Sequence, residues 1–216
     1  MNRTPLFVIF VILLSVLIAG CTLVQQEKTA PERHSNGTTG ARQAPAPKPG
    51  DYFPLTTGST WEYAGTGNEY ASFTREVLFA EGNRAQIRES NGGTVSAVVF
   101  ETTDDAVVRI INREESYEPV NMLDNEQEER AVILKAPLKE GTTWSLPHRE
   151  SEIIDVDAVV ATPAGIFTDC IKVKTTGKYD VIFEYFKNGV GLVKREFVSG
   201  DTRVTSALEK YEVKQP

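Results

Sequence analysis

The chain has 216 residues, a quarter of them charged and 40% hydrophobic, and its formal net charge is −7. Proteins that bind nucleic acid carry basic patches, so this acidic balance argues against a nucleic-acid partner. Arg3 and residues 22–50 together contribute +3, which leaves −10 on residues 51–216 and argues against a domain lying flat on anionic lipid.

Residues 1–20 have the layout of a secretory signal peptide. Arg3 is the only charged side chain before Glu27, and an unbroken apolar run follows from Leu6 to Leu14. The run leads to Ile18-Ala19-Gly20-Cys21, which resembles the bacterial lipobox of one aliphatic residue, two small residues and an obligatory cysteine. The resemblance implies a diacylglyceryl group on the sulfur of Cys21, so this residue is expected to incorporate labelled palmitate.

This signal predicts a protein held outside the cytoplasm. We expect a lipid anchor on the extracytoplasmic face of the cell membrane, or on the outer membrane or its periplasmic side if the organism has two membranes. A second interpretation stays open, because the 19 residues from Leu6 to Val24 nearly match the roughly 20 of a membrane-spanning helix. Both interpretations place the domain on the extracytoplasmic side of the membrane, since Arg3 would stay in the cytoplasm.

Residues 21–50 are predicted to be the lipidated cysteine followed by a disordered tether. No Phe, Tyr or Trp occurs from Thr22 to Gly50, and four prolines punctuate a run of small and polar residues. Such a segment cannot bury enough apolar surface to offset the entropy lost on ordering. The tether would hold the domain on the order of 30 Å from the membrane.

The pattern of residues 51–216 predicts one all-β domain. Short runs of β-branched and aromatic residues alternate with turn residues, and no segment has a long helical periodicity. The predicted strands are 60–64, 72–80, 84–89, 95–101, 106–112, 130–135, 152–161, 167–175, 179–186, 192–197 and 203–213. Tight turns between them favour a single antiparallel, strongly curved meander sheet, or a barrel-like or sandwich domain.

Alternation within the strand at 152–161 predicts which face is buried. Its apolar positions are Ile154, Val156, Ala158 and Val160. Asp155 and Asp157 lie between them and are expected to point to solvent, although two close carboxylates are also what a glycosidase uses. Glu150 and Glu152 stay open to the same two interpretations.

Asn188-Gly189 is a favoured centre for a two-residue hairpin turn. Such a turn would set Tyr185 opposite Leu192 and Phe183 opposite Lys194. A loop that also takes in Val190 and Gly191 would give a different register.

Residues 114–130 interrupt the strand rhythm with an acidic stretch poor in β-formers. Carboxylate and amide oxygens bind calcium, but the spacing of an EF-hand loop is missing. A solvated loop or short helix is the favoured interpretation, since acidic runs usually face water.

Cys170 is the one cysteine left if Cys21 is acylated, so no intrachain disulfide is possible. A catalytic cysteine needs a histidine partner, and nothing marks His148 as that partner. Strand alternation places Cys170 on the face of Lys172, away from Ile171 and Val173, and a packed, unreactive thiol is expected. We predict no catalytic, cofactor-binding or metal-binding residue.

An octapeptide at Pro54–Trp61 recurs at Pro137–Trp144, with the shared order Pro-Leu-x-x-Gly-Ser/Thr-Thr-Trp. Each copy can be a turn that delivers a strand whose tryptophan packs inward. Trp61 and Trp144 are therefore expected to be paired core anchors, with ligand stacking as the alternative. The echo also indicates two related halves, 51–136 and 137–216.

Three motifs resemble uncharacterised bacterial secreted proteins and lipoproteins. They are the Pro-Leu-x-x-Gly-x-x-Trp-x-Tyr motif at Pro54–Tyr63, Thr-Pro-Ala-Gly-x-Phe-x-x-Cys at Thr162–Cys170 and Gly-Val-Gly-Leu-Val-Lys at Gly189–Lys194. The resemblance implies a curved antiparallel or barrel-like envelope domain, and it transfers no catalytic residue.

These observations favour a membrane-anchored lipoprotein with a non-catalytic binding or structural role in the cell envelope, acting on an unknown envelope protein or hydrophobic ligand. One alternative is a lipid or hydrophobic-ligand carrier, because a strongly curved sheet can enclose an apolar cavity. The other is an envelope hydrolase that uses carboxylates, since no nucleophile or zinc motif is present.

Overall fold

The computed structural model describes residues 45–215. The predicted signal peptide at 1–20, Cys21 and most of the tether at 21–50 lie outside the described residues. Between residues 45 and 215, no helix has the length and apolar character needed to cross a membrane.

The described residues form an all-β fold, as the residue pattern predicts. A 3₁₀ turn at Pro49–Tyr52 precedes the strands. The strands are β1 Thr60–Thr66, β2 Phe73–Glu81, β3 Arg84–Ser90, β4 Val95–Thr102, β5 Ala106–Arg113, β6 Ala131–Lys135, β7 Thr143–Leu146, β8 Arg149–Thr162, β9 Gly165–Thr176, β10 Val181–Lys187, β11 Gly191–Ser199 and β12 Thr202–Glu212. The pattern predicts all of them except β7, which is too short to show an alternation.

All twelve strands belong to one antiparallel sheet, with the order β6-β5-β4-β3-β2-β1-β12-β11-β10-β9-β8-β7. Every strand pairs with its neighbour in sequence except β6 with β7, and β12 pairs with β1. The sheet is therefore an up-and-down meander that curls into a nearly closed barrel. We call the unpaired boundary between β6 and β7 the seam.

Because consecutive strands alternate in direction, the turns fall at two opposite ends of the sheet. The proximal end carries the turns at 82–83, 103–105, 163–164 and 188–190. The chain also enters there after Pro45, since Lys48 Nζ donates to Asp104 at 2.8 Å and Gly189 N donates to the Asp51 carbonyl at 2.8 Å. The distal end carries the connections at 67–72, 91–94, 114–130, 147–148, 177–180 and 200–201.

The main apolar core fills the inside of the curled sheet. It receives buried residues from all twelve strands, including Leu134 of β6 and Trp144 of β7. At the proximal end, Phe53 packs against Phe100 and Phe186, with ring centroids 5.3 and 5.6 Å away. Aromatic rings thus fill the inside of the sheet at its proximal end.

The two tryptophans of the repeated octapeptide are core anchors, as predicted. Trp61 and Trp144 are 4% and 6% exposed and belong to the same apolar core. Each indole Nε1 donates to a backbone carbonyl, Trp61 to Val190 at 2.7 Å and Trp144 to Val132 at 3.0 Å. The polar edge of each ring is therefore satisfied inside the protein.

A second apolar cluster lies outside the curled sheet, over β4 and β5, and is covered by residues 114–130, which we call the strap. Met122 and Leu123 of the strap are buried against this cluster. Gln86 of β3 holds the strap by donating to the Val120 carbonyl at 2.9 Å and accepting from Met122 N at 2.8 Å. The prediction of a solvated loop or short helix is wrong at these positions, because the apolar pair within the acidic run folds onto the sheet.

The predicted hairpin register around Asn188-Gly189 is wrong. Lys187 pairs with Gly191, so the loop holds three residues, and a bulge follows next to Tyr185. Tyr185 lies opposite Lys194, and Phe183 lies opposite Glu196. The longer loop allows the Val190 carbonyl to accept the Trp61 indole, a contact that no local turn preference reveals.

Strand β8 keeps the predicted alternation only in its second half. Ala158 and Val160 are buried, whereas Ile153 is buried in place of Ile154. Register shifts between Ile153 and Ala158 reverse which positions face inward. Asp157 does face solvent, and its backbone N–H donates to the Asp155 carboxylate at 2.9 Å.

A similar irregularity moves Cys170. Asp169 has a positive φ of 51°, which breaks the alternation of β9 and turns the Cys170 side chain into the core with Ile171 and Val173. The predicted face of Cys170 is therefore wrong, while its burial is confirmed, since the residue is 0% exposed.

Candidate functional site

A cleft of about 300 Å³ opens where the seam meets the distal half of the sheet. Its wall is formed by residues of β6 and β7, which border the seam, and of β5 and β8–β11. The lining residues are Arg109, Ala131, Val132, Ile133, Leu146, Arg149, Ser151, Thr175, Ile182, Glu184 and Arg195. We call it the seam cleft.

The seam leaves room for this cleft because no backbone ladder joins β6 to β7. Towards the proximal end, the Trp144 indole bridges the two strands through its hydrogen bond to the Val132 carbonyl. Towards the distal end, Ala131 of β6 and Leu146 of β7 both line the cleft. The Trp144 indole thus lies between the hydrogen-bonded part of the seam and the open part that forms the cleft.

Three arginines and one glutamate provide the charged part of the wall. Arg195 donates from Nε and from a terminal nitrogen to the Glu184 carboxylate, both at 2.9 Å. Arg149 makes a two-point pair with Asp180 at 2.5 and 3.1 Å, and Arg109 pairs with Glu129 of the strap. These pairs fix the orientation of the guanidinium planes.

The pairs do not use all the donors of the arginines. A guanidinium carries five N–H groups, and each pair described above occupies two of them. Each of the three arginines has its own carboxylate partner, so positive and negative charges are equal in number, and what the wall offers a ligand is the N–H groups that these pairs leave over.

The rest of the wall is mainly apolar. Ala131, Val132 and Ile133 contribute from β6, Leu146 from β7 and Ile182 from β10. A cleft that combines hydrophobic walls with a few oriented polar groups is the usual form of a small-molecule site. The arrangement can receive a ligand with an anionic group and a short apolar portion.

Arg195 also connects the cleft to a buried charged network inside the sheet. Its guanidinium lies 5.8 Å from the centroid of the Phe73 ring. The guanidinium of Arg75 lies 5.3 Å from the same centroid. Arg75 is 9% exposed and donates to Glu89 at 2.7 Å. The charged residues of the distal interior are therefore held by one another and by aromatic faces.

This network shifts the pKa values of its members. Burial alone would raise the pKa of Glu89, but Arg75 and Arg195 outweigh it and hold this pKa below its ordinary value. Burial likewise opposes the charge of Arg75, and the Glu89 carboxylate keeps its pKa raised. Tyr63, whose hydroxyl donates to the Leu192 carbonyl at 2.9 Å, has its pKa raised to about 12 by burial.

Two other cavities have less of the character of a binding site. An interior space beside Trp61 and Tyr63 measures only about 20 Å³, which is little more than one water molecule. A groove of about 500 Å³ near Gly65 and Asn91 is larger but more open to solvent. The seam cleft is less open to solvent than that groove, and four charged side chains line it.

The structure does not bring the sequence-predicted candidates together. Cys21 lies outside the described residues, and Cys170 is buried, with burial raising the pKa of its thiol to about 11. His148 is exposed in the β7–β8 turn. The carboxylates of β8 do not line the seam cleft; they are Glu150, Glu152 and Asp157, which are exposed, and Asp155, which is half-buried.

The acidic strap also does not gather its carboxylates around a common point. Across residues 45–215, no group of three His, Cys, Asp or Glu side chains is placed to hold a metal ion. Two strap carboxylates instead pair with arginines of β5, Glu129 with Arg109 and Glu128 with Arg113.

Sequence reasoning missed the arginines and the glutamate of the seam cleft. A usable signal was present, because Arg109 interrupts the apolar run Val107–Ile111 and Glu184 interrupts Ile182–Phe186. A charged residue at an inward position of an apolar strand must be paired inside the protein. Which strands supply the partners depends on the closure of the sheet, which the pattern does not show.

No protein-family model matches the chain, and no curated protein matches it. Among solved structures, it is similar to a candidate exported protein with a YmcC-like fold from Bacteroides fragilis NCTC 9343, with 14% identity, a TM-score of 0.49 and coverage of 74% of this chain and 98% of the other. It is also similar to a candidate lipoprotein from Parabacteroides distasonis ATCC 8503, with 16% identity, a TM-score of 0.46 and the same coverage. At these identities and scores, neither likeness indicates what this protein binds.

Proposed function

We propose that this protein is a membrane-anchored, extracytoplasmic lipoprotein whose β domain binds a small amphiphilic anion in the seam cleft without performing chemistry on it. The observation that carries the proposal is the wall of the cleft, where Arg109, Arg149 and Arg195, each with N–H groups left over from its carboxylate pair, lie beside apolar side chains. The anionic group would replace water at the free arginine N–H groups.

The size of the cleft limits the ligand. About 300 Å³ is at the lower end of the range for small-molecule sites. The ligand is therefore a short- or medium-chain carboxylate or a small phosphate ester with one apolar arm, and a long-chain lipid would leave most of its chain outside. This narrows the hydrophobic-carrier alternative to small ligands.

The anchoring part of the proposal rests on Arg3, the apolar run from Leu6 to Leu14 and the lipobox ending at Cys21. Palmitate labelling of the wild type and of Cys21→Ser tests it directly. Label that depends on Cys21 supports the lipid anchor. Label that persists in Cys21→Ser contradicts it and favours a spanning helix at the N-terminus.

The binding part is tested by calorimetric titration with octanoate and octanol. Residues 45–215 contain every strand of the sheet and both apolar clusters, so a soluble fragment from Pro45 to Pro216 is suited to this measurement. We expect octanoate to bind and octanol to bind at least about tenfold more weakly, since hydrogen bonds to charged groups contribute about 1.5–3 kcal/mol.

A matched pair of variants locates the site. Ala131→Leu adds volume inside the cleft, whereas Ala80→Leu adds the same volume at an exposed position of β2. Octanoate binding should fall in the first and stay unchanged in the second. Binding that is insensitive to Ala131→Leu, or equal for octanoate and octanol, would contradict the assignment of the cleft.

A further inference from the structure

The tip of the β8–β9 hairpin presents an apolar surface to solvent. Val159 and Ile166 are 68% and 74% exposed, the highest values among the large aliphatic side chains of residues 45–215. Ala161 lies directly opposite Ile166 in the ladder and is also exposed. These three side chains share the outer face, because their neighbours Val160 and Phe167 point into the core.

Hydrogen bonds hold the backbone of the tip in place. Ala164 N donates to the Leu208 carbonyl of β12 at 3.0 Å, and Thr162 Oγ1 donates to the Gly165 carbonyl at 3.3 Å. Tyr211, which is partly exposed, lies beside the tip with its ring centroid 6.2 Å from that of Phe167. The inner side of the tip is therefore held against β12 by Leu208 and Tyr211.

The tip also lacks charge. No charged side chain occurs from Ala158 to Thr168, in a protein of which a quarter is charged, and Asp157 and Asp169 bound this segment. The acidic balance that disfavours a flat contact with anionic lipid thus does not apply at the tip. An apolar, uncharged surface at the end of the sheet is suited to a lipid bilayer more than to water.

The position of the tip relative to the N-terminal chain indicates what covers it. The β8–β9 turn belongs to the proximal end, where the chain enters after Pro45. Only the 23 residues 22–44 separate Pro45 from Cys21. A tether of this length, which the sequence predicts to be a coil, keeps the proximal end within roughly 30 Å of an anchor at Cys21, which raises the effective concentration of the tip at the membrane surface.

We propose that the β8–β9 tip docks onto the lipid surface through Val159, Ala161 and Ile166, so that the domain stands end-on upon the membrane. This inference rests on the membrane anchor of the proposed function but not on its ligand. End-on docking directs the distal end, and with it the opening of the seam cleft, away from the bilayer.

The test places an environment-sensitive dye at the tip of the full chain in vesicles of phosphatidylcholine and phosphatidylglycerol. Ile166→Cys carries the dye at the tip, and Tyr179→Cys carries it in the β9–β10 turn at the distal end. Both native side chains are 74% exposed, and the buried Cys170 is protected from labelling. Lipids with a quencher in the acyl chain report the depth of each dye.

We expect a blue shift and quenching at residue 166 and neither at residue 179. Vesicle-bound protein with an unshifted, unquenched dye at 166 overturns the docking and leaves the anchor standing. Protein that does not associate with vesicles overturns both. A shift at 166 that already occurs without lipid shows that a second copy or the N-terminal segment covers the tip, and it overturns the proposal as well.

Discussion

The indole Nε1 of Trp144 donates a 3.0 Å hydrogen bond to the backbone carbonyl of Val132 and so joins two strands that no backbone ladder joins. This contact closes the proximal part of the seam and leaves the distal part open as the cleft. At the seam, this side-chain bond takes the place of a backbone ladder.

Trp144→Phe should loosen the seam. The substitution keeps most of the apolar volume but leaves the Val132 carbonyl without its donor, which costs about 1–3 kcal/mol. We expect faster amide hydrogen exchange in β6 and β7, measured by mass spectrometry. Trp61→Phe is the control, because it removes an equivalent bond to Val190 away from the seam. Equal exchange in the two variants would show that the Trp144 bond does not close the seam.

Glu89→Gln should remove part of the acid sensitivity of the fold. Because the pKa of Glu89 in the folded protein lies below its ordinary value of 4.5, its stabilisation is present above that pH and is lost as the pH falls below it. At neutral pH the variant leaves Arg75 buried without its counter-charge, which costs about 3 kcal/mol.

Chemical denaturation from neutral to acidic pH measures both effects of Glu89→Gln. The loss of unfolding free energy on acidification should be smaller in the variant than in the wild type. Glu76→Gln is the matched control, since Glu76 is exposed on β2 next to Arg75. A pH profile that is the same for Glu89→Gln and the wild type would contradict a charged Arg75–Glu89 pair.

The sequence pattern predicts the parts of this fold that depend on local alternation and turns. Eleven strands, the meander and the packing of both tryptophans follow from it, because each depends on residues close together in the chain. Strand β7 is missed since four residues around Trp144 are too few to show a period. The predicted faces of Cys170 and Ile154 are wrong. The positive φ of Asp169 reverses the alternation next to Cys170, register shifts reverse it in β8, and the local sequence gives no sign of either.

The candidate site is less predictable because it forms by closure of the sheet. Arg109, Arg149 and Arg195 come from three strands that are distant in sequence, and they meet only when the sheet curls towards the seam. The two-half organisation into 51–136 and 137–216 stays a prediction, although the seam between β6 and β7 lies close to Pro137.

Gln86→Leu should release the strap from the sheet. The amide of Gln86 makes two hydrogen bonds to the strap backbone, and Leu can make neither, so Val120 O and Met122 N lose their partners. We expect a loss of about 1–3 kcal/mol and increased proteolysis within residues 114–130. Gln127→Leu, at an exposed position of the strap itself, is the control. It should change neither the free energy of unfolding nor the proteolysis of the strap. An intact strap in Gln86→Leu would show that the apolar contacts of Met122 and Leu123 suffice.

Cys170 should be almost unreactive in the folded protein. Burial raises the pKa of its thiol from 9.0 to about 11, so at pH 8 the thiolate fraction is about a hundredfold lower than for an ordinary cysteine. The same shift means that the neutral thiol contributes stability below pH 9.0, which is lost as the pH rises towards 11.

Alkylation with iodoacetamide followed by peptide mapping measures the reactivity of Cys170 separately from that of Cys21. We expect slow modification in native conditions, a rate that rises with pH, and fast modification in guanidinium chloride. Ile166→Cys is the control, because it places a thiol four residues earlier on the same strand but on the exposed face. Native Cys170 that reacts as fast as the thiol of Ile166→Cys would show that β9 opens readily or that its bulge does not turn the side chain into the core.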